Sequence, residues 1–264
     1  MSTFSLWPIG LTACGAAIGF LVGMTGVGAG SLTTPMLISV FGIEAPIAVG
    51  TDLLFAAITK STAAWRYQRH KSIDWRVLTW LAAGSLPGAI ATLLWLRWAH
   101  PDTAMMTALI RRALGYILLL SAVANAAYPW LMQWRGEHTA DATPGKLGNY
   151  ATTALGLLLG VMVVLTSVGA GAIGVAALMV LYPGLSARRL IGTDIVHAIP
   201  LAFVAGLGHL GLGSIDLEVL GLLLLGSIPG IAAGARVTGA APDWLVRTSL
   251  AAVLLLAAIT LLWR

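Results

Sequence analysis

Asp52 and Asp194 are the residues of this chain best placed to do chemistry. Each ends a Gly-Thr-Asp triplet, in "VGTD" at 49–52 and "IGTD" at 191–194, and each lies several residues inside an apolar segment. A carboxylate at such a place is expensive. It is either functional or locked by hydrogen bonds to nearby backbone and hydroxyl groups. His197 follows Asp194 by three residues, which puts both on one helix face. An acid–imidazole pair of that kind is a candidate proton relay. Lys60 stands eight residues beyond Asp52, about two helical turns. It could offset the charge of an anionic ligand or snorkel towards an interface. Asp52, Asp194, His197 and Lys60 are thus candidates for proton coupling or gating.

Two glycine clusters form the second candidate. "TGVGAG" runs from Thr25 to Gly30 and "TSVGAG" from Thr166 to Gly171, both within apolar stretches. Glycine in a helix costs roughly 1 kcal/mol relative to alanine, so such clusters mark either close packing through small residues or a break. The segments after them, 29–41 and 170–182, are each about 13 residues, or roughly 20 Å of helix against a hydrocarbon core near 30 Å. The pairs flanking the clusters are therefore expected to be broken or re-entrant helices. A helix starting just after the glycines aims unpaired N–H groups and about half a positive charge at the apex, which suits an anion. Gly26, Gly28, Gly30, Gly169 and Gly171 would let a ligand approach the backbone. The hydroxyls of Thr25, Ser31, Thr166 and Ser167 add donors.

The elements that must position these residues are membrane helices. The 264-residue chain is 58% hydrophobic and 9% charged, with a mean hydropathy of +0.91, whereas a soluble domain carries about 25% charged residues. Met1 to Ile43 holds no charged side chain. No basic stretch precedes the first apolar run, so that run reads as retained membrane structure rather than a signal peptide. The basic residues sit at the ends of apolar segments, which favours a topological role over nucleic-acid binding. Cys14 is the single cysteine, which excludes an intrachain disulfide or a cysteine metal cluster. No catalytic or metal-binding motif is found, so the chain reads as a non-enzyme without cofactors.

The chain is also duplicated. "VGTD" returns as "IGTD", "SID" at 72–74 returns at 214–216, and "GSLPG" at 84–88 returns as "GSIPG" at 226–230, all displaced by 142 residues; the glycine clusters are displaced by 141. The organisation expected is a first transmembrane repeat over 1–126, a polar linker over 127–148, and a second repeat over 149–264. Each repeat has five apolar segments, an odd number that would insert the copies in opposite orientations. The basic loop around the first "SID" (Arg66, Arg69, Lys71, Arg76) against the acidic loop around the second fits that inversion and a cytoplasmic linker. The fold expected is all-α and polytopic, each repeat combining a short broken pair with three longer helices.

The stretch "GMTGVGAGSLTTPMLISVFGIEAPIAVGTDLLFAAITKSTAAWRYQRHKSIDW" at 23–75 resembles the TauE/SafE sulfite exporter family, also called TSUP transporters. The second half repeats the pattern more weakly, without an equivalent of Pro35. The resemblance implies a multi-pass protein of the cytoplasmic (inner) membrane that moves a small sulfur-containing anion: sulfite, a sulfonate such as sulfoacetate, or thiosulfate. By matching motif it points to Thr25, Gly28, Gly30, Thr51, Thr166, Gly169, Gly171 and Thr193. The function expected is export by alternating access, with proton-coupled uptake or an anion channel as alternatives. The partners expected are that anion and the lipid bilayer, with no nucleic acid; a homo-oligomer is left open.

Overall fold

A computed structural model describes residues 6–25, 30–69, 73–99, 102–135, 146–237 and 243–263. The order is α1 (Leu6–Thr25), α2 (Gly30–Ser39), α3 (Ala45–Arg69), α4 (Trp75–Ala99) and α5 (Thr103–Arg135), then α6 (Lys146–Thr166), α7 (Ala172–Leu181), α8 (Ala187–Gly211), α9 (Leu217–Arg236) and α10 (Asp243–Trp263). The described residues hold no strand. Helices α1, α4, α5, α6, α8 and α9 are long and apolar enough to cross a membrane. Large apolar side chains such as Trp98, Val123, Trp130 and Leu225 face outward, as a bilayer-facing surface allows and an aqueous one does not.

Only the second member of each glycine-flanked pair is short. Helices α2 and α7 have 10 residues each, whereas α1 has 20 and α6 has 21. Glycines do not end α1 or α6 midway, because there they serve a different purpose. A Cβ added at Gly15, Gly19 or Gly23 would overlap the backbone of Leu223, Ser227 or Ile231 in α9, and one at Gly226, Gly230 or Gly234 would overlap that of Thr12, Ala16 or Phe20 in α1. The contacts climb together, so α1 and α9 run parallel, backbone against backbone. Helices α4 and α6 do the same through Gly84, Gly88, Gly156 and Gly160. The packing is reciprocal: the first helix of one half takes the fourth of the other, twice. Helix α3 lies against α8, and α5 against α10.

Helix α5 runs on to Arg135, and α6 begins at Lys146, so helix fills both ends of the segment expected as linker. Pro129 does not stop α5. Leu131 is buried beyond it, and the Arg247 guanidinium stacks on Tyr128 at 3.3 Å, so packing outweighs the lost backbone hydrogen bond.

The "SID" aspartates are helix caps. Asp74 Oδ1 accepts from Arg76 N and Val77 N, each at 3.1 Å, and Asp216 Oδ1 accepts from Glu218 N at 2.9 Å and Val219 N at 3.0 Å. Each satisfies donors that the first turn of α4 or α9 leaves open.

Candidate functional site

The break between α6 and α7 is built by its own sequence. Thr166 Oγ1 donates to Met162 O at 2.7 Å and accepts from Val168 N at 3.2 Å, ending α6. Ser167 then adopts φ 61°, and Gly169 and Gly171 adopt φ 132°, a region where side chains are strained and glycine is at ease. Helix α7 starts at Ala172, with its N-terminus inside the protein. The expected broken helix is therefore present in the second half. In the first half Thr25 is the last residue of α1, Gly30 the first of α2, and Ser31 is half-buried; Gly26 and Gly28 lie outside the described residues.

The α7 N-terminus faces a carboxyl group that the protein itself supplies. Asp194 is 1% exposed. Its carboxylate touches Gly174, where a Cβ would overlap Oδ1, and it lies within electrostatic reach of the Gly171 N–H. Asp52, fully buried on α3, accepts from Thr34 Oγ1 at 2.6 Å. The Thr33 and Ser167 hydroxyls lie close enough to donate to the same carboxylate, although Thr33 Oγ1, Ser167 Oγ and Asp52 Oδ1 make no well-formed hydrogen bond in this conformation.

Lys60 does not snorkel. It is 6% exposed and lies within electrostatic reach of Asp194 and, more weakly, Asp52. It is the only buried lysine or arginine among the described residues. Asp52, Asp194, Lys60 and Ser167 thus form one buried cluster between α3, α8 and the α6–α7 break.

His197 is turned elsewhere. Its Nε2 is 2.7 Å from Ser85 Oγ of α4, and no hydrogen bond joins it to Asp194. The acid–imidazole pair suggested by their spacing is not formed here; packing of α8 on α4 offers a nearer partner. Thr51 and Thr193 are also occupied. Thr51 Oγ1 accepts from Asp216 N at 3.0 Å, and Thr193 Oγ1 accepts from Asp74 N at 2.8 Å while donating to Arg189 O at 2.7 Å. The two repeated motifs dock on each other across the halves. Gly50 permits the approach, since a Cβ there would overlap Ser214 O.

Thr33, Thr34 and Ser85 were not legible as site residues. The adjacent threonines before Pro35 and the serine inside "GSLPG" are the polar atoms of otherwise apolar runs, which is the only signal they leave.

Comparison with known proteins agrees with this architecture. Residues 11–261 match the family described as "Sulfite exporter TauE/SafE". The chain is 35% identical over 230 residues to the probable membrane transporter protein YjnA of Bacillus subtilis (strain 168), covering 87% of this chain and 90% of that protein. It is 24% identical over 234 residues to the probable membrane transporter protein YdhB of the same organism, covering 88% and 91%. No solved structure matches. A multi-pass membrane chain matched from end to end in this way is a member of the TauE/SafE sulfite exporter family.

Proposed function

We propose that this protein is a secondary transporter that moves a small sulfur-containing anion, sulfite or an organosulfonate such as sulfoacetate, across the cytoplasmic membrane by alternating access. The observation that carries the reading is Lys60, a basic side chain buried within electrostatic reach of Asp194 and Asp52. Desolvating such a cation costs several kcal/mol and is sustained only by charged or polar partners. A core that must admit an anion needs one, and the α7 N-terminus adds about half a positive charge. Asp194 holds that position in this conformation, so the arriving anion displaces it and takes over Lys60. The donors expected around the anion are the N–H groups at Gly169 and Gly171 and the Ser167 hydroxyl.

The halves over 1–126 and 149–264 are inverted copies in this reading, related by an axis in the membrane plane. Reciprocal packing supports the two-fold part of this reading, because a two-fold carries each contact onto its counterpart in the other half. Rocking of one half against the other would expose the cluster to each side in turn. Export is the cheaper direction for an uncoupled anion, by about 2.3 kcal/mol per charge per 100 mV of inside-negative potential. A second reading, ion-coupled uptake of such anions, is favoured by the buried acids Asp52 and Asp194, which an uncoupled exporter does not need.

Labelled flux in proteoliposomes tests this, using sulfite, thiosulfate, sulfoacetate, sulfate and chloride under an imposed potential. Saturable flux of a sulfur anion, faster out of the negative compartment, supports export. Flux that needs an ion gradient supports uptake. Unsaturable flux, or none from folded protein, rejects a sulfur-anion carrier.

A further inference from the structure

Asp52 and Asp194 hold equivalent places in the two halves, but their surroundings have diverged. Thr33, Thr34 and Ser167 bring three hydroxyls to Asp52. The positions corresponding to them in the opposite copy are Gly174, Val175 and Gly26, none of which has a hydroxyl. Asp194 instead lies within electrostatic reach of Lys60, with no hydrogen bond to either of its carboxylate oxygens among the described residues, and the position corresponding to Lys60 is Ala202. One carboxylate keeps an oxygen cage; the other has lost the cage and has a basic side chain in its vicinity.

Charge and geometry then point the same way. A carboxyl group buried at this depth is costly to ionise unless a cation or hydrogen-bond donors surround it. We propose that the Asp52 cluster binds one sodium ion, with Asp52 Oδ1, Ser167 Oγ and Thr33 Oγ1 among its ligands. Those three oxygens come from α3, the α6–α7 break and α2, and their residues are 0%, 6% and 0% exposed. None has a hydrogen-bond partner among the described residues. Hard oxygen ligands suit a hard cation, and one negative charge suits a monovalent one. The left-handed Ser167 backbone belongs to an interrupted helix, where transporters present carbonyls to coupling ions. Lys60 is the tethered counterpart of the ion in the other half. Sodium bound here drives uptake if it travels with the anion and export if the two exchange.

The inference deepens the transport reading of this site, and its test needs no sulfur anion, so either can fail alone. Purified full-length protein is titrated with NaCl against KCl and choline chloride at constant ionic strength and pH, following thermal unfolding and binding of radioactive sodium. Saturable sodium binding is expected, at least tenfold tighter than potassium. Asp52→Asn and Thr33→Val should abolish it, Ser167→Gly should weaken it tenfold or more, and Asp194→Asn should retain it. Ser167→Gly guards against misfolding, because glycine suits φ 61° and already stands at the corresponding position, Gly26. No saturable sodium binding by folded protein, sodium binding unchanged in Asp52→Asn and Ser167→Gly, or a response to pH alone would overturn the proposal. Intact sodium binding with no anion flux would instead count against the transport reading.

Discussion

The Thr51 hydroxyl accepts a hydrogen bond from the backbone of Asp216, and the same bond recurs from Asp74 to Thr193 with each member displaced by 142 residues. Such an exchange is what a two-fold relation between halves produces. It also places a latch at each "SID" loop, where the start of α4 or α9 meets the helix carrying the opposite aspartate. The two latches differ in one respect. Arg189 Nη2 is 3.4 Å from Asp74 Oδ2, whereas Ile47 stands at the position corresponding to Arg189.

Removing either hydroxyl strands a backbone N–H, which costs about 1–3 kcal/mol. Thr51→Val should lower thermal stability more than Thr193→Val, because the ion pair retains the Asp74 loop by up to about 1 kcal/mol. Thr→Ser at either site should restore it. Equal losses would remove the ion pair from the account.

The parallel glycine seams predict a sharp positional contrast. Gly19→Ala and Gly226→Ala drive a methyl into a backbone carbonyl and should cost at least about 1–3 kcal/mol. Gly221→Ala, with open space at that point, should be neutral or stabilising. Unfolding of the three variants in detergent compares them directly. A tolerant seam would mean that α1 and α9 are not in backbone contact.

Ser85 and Ser227 are corresponding residues with different environments. Ser85 bonds His197; Ser227 is fully buried, and its hydroxyl has no partner among the described residues. Ser85→Ala should therefore cost about 1–3 kcal/mol by stranding the imidazole, while Ser227→Ala should cost little or stabilise. If the two alanines behave alike in thermal unfolding, the Ser85–His197 bond carries no stability.

Much of this architecture is legible in the order of residues. Long charge-poor runs gave the membrane class, and repetition of "GTD", "SID" and "GSLPG" pointed to the segments that meet across the chain. The "TSVGAG" cluster marked a real break, because Ser167, Gly169 and Gly171 all need positive φ. What stayed hidden was pairing across the halves. No single helix shows that Gly15, Gly19 and Gly23 answer Gly226, Gly230 and Gly234. Nor does "GTD" announce that its threonine takes the N–H of a distant "SID". The spacing of Asp194 and His197 suggested a pair, but a shared helix face fixes only direction, and Ser85 of another helix is the partner. Lys60 could have snorkelled or stayed in the core. Tertiary burial, which the order of residues does not state, decided it.

Lys60 is the residue on which the transport reading rests most heavily, so flux of the preferred sulfur anion through wild-type and Lys60→Gln protein, reconstituted side by side, tests it most directly. Gln keeps the polarity and most of the length of the side chain but removes its charge. Asp194→Asn in the same background supplies a variant without the uncompensated carboxylate, guarding against loss of fold. The account predicts that both Lys60→Gln proteins, shown to be folded, lose at least about tenfold in flux, equivalent to 1.4 kcal/mol. Wild-type flux from folded Lys60→Gln protein would contradict it, and the anion would have to be held elsewhere.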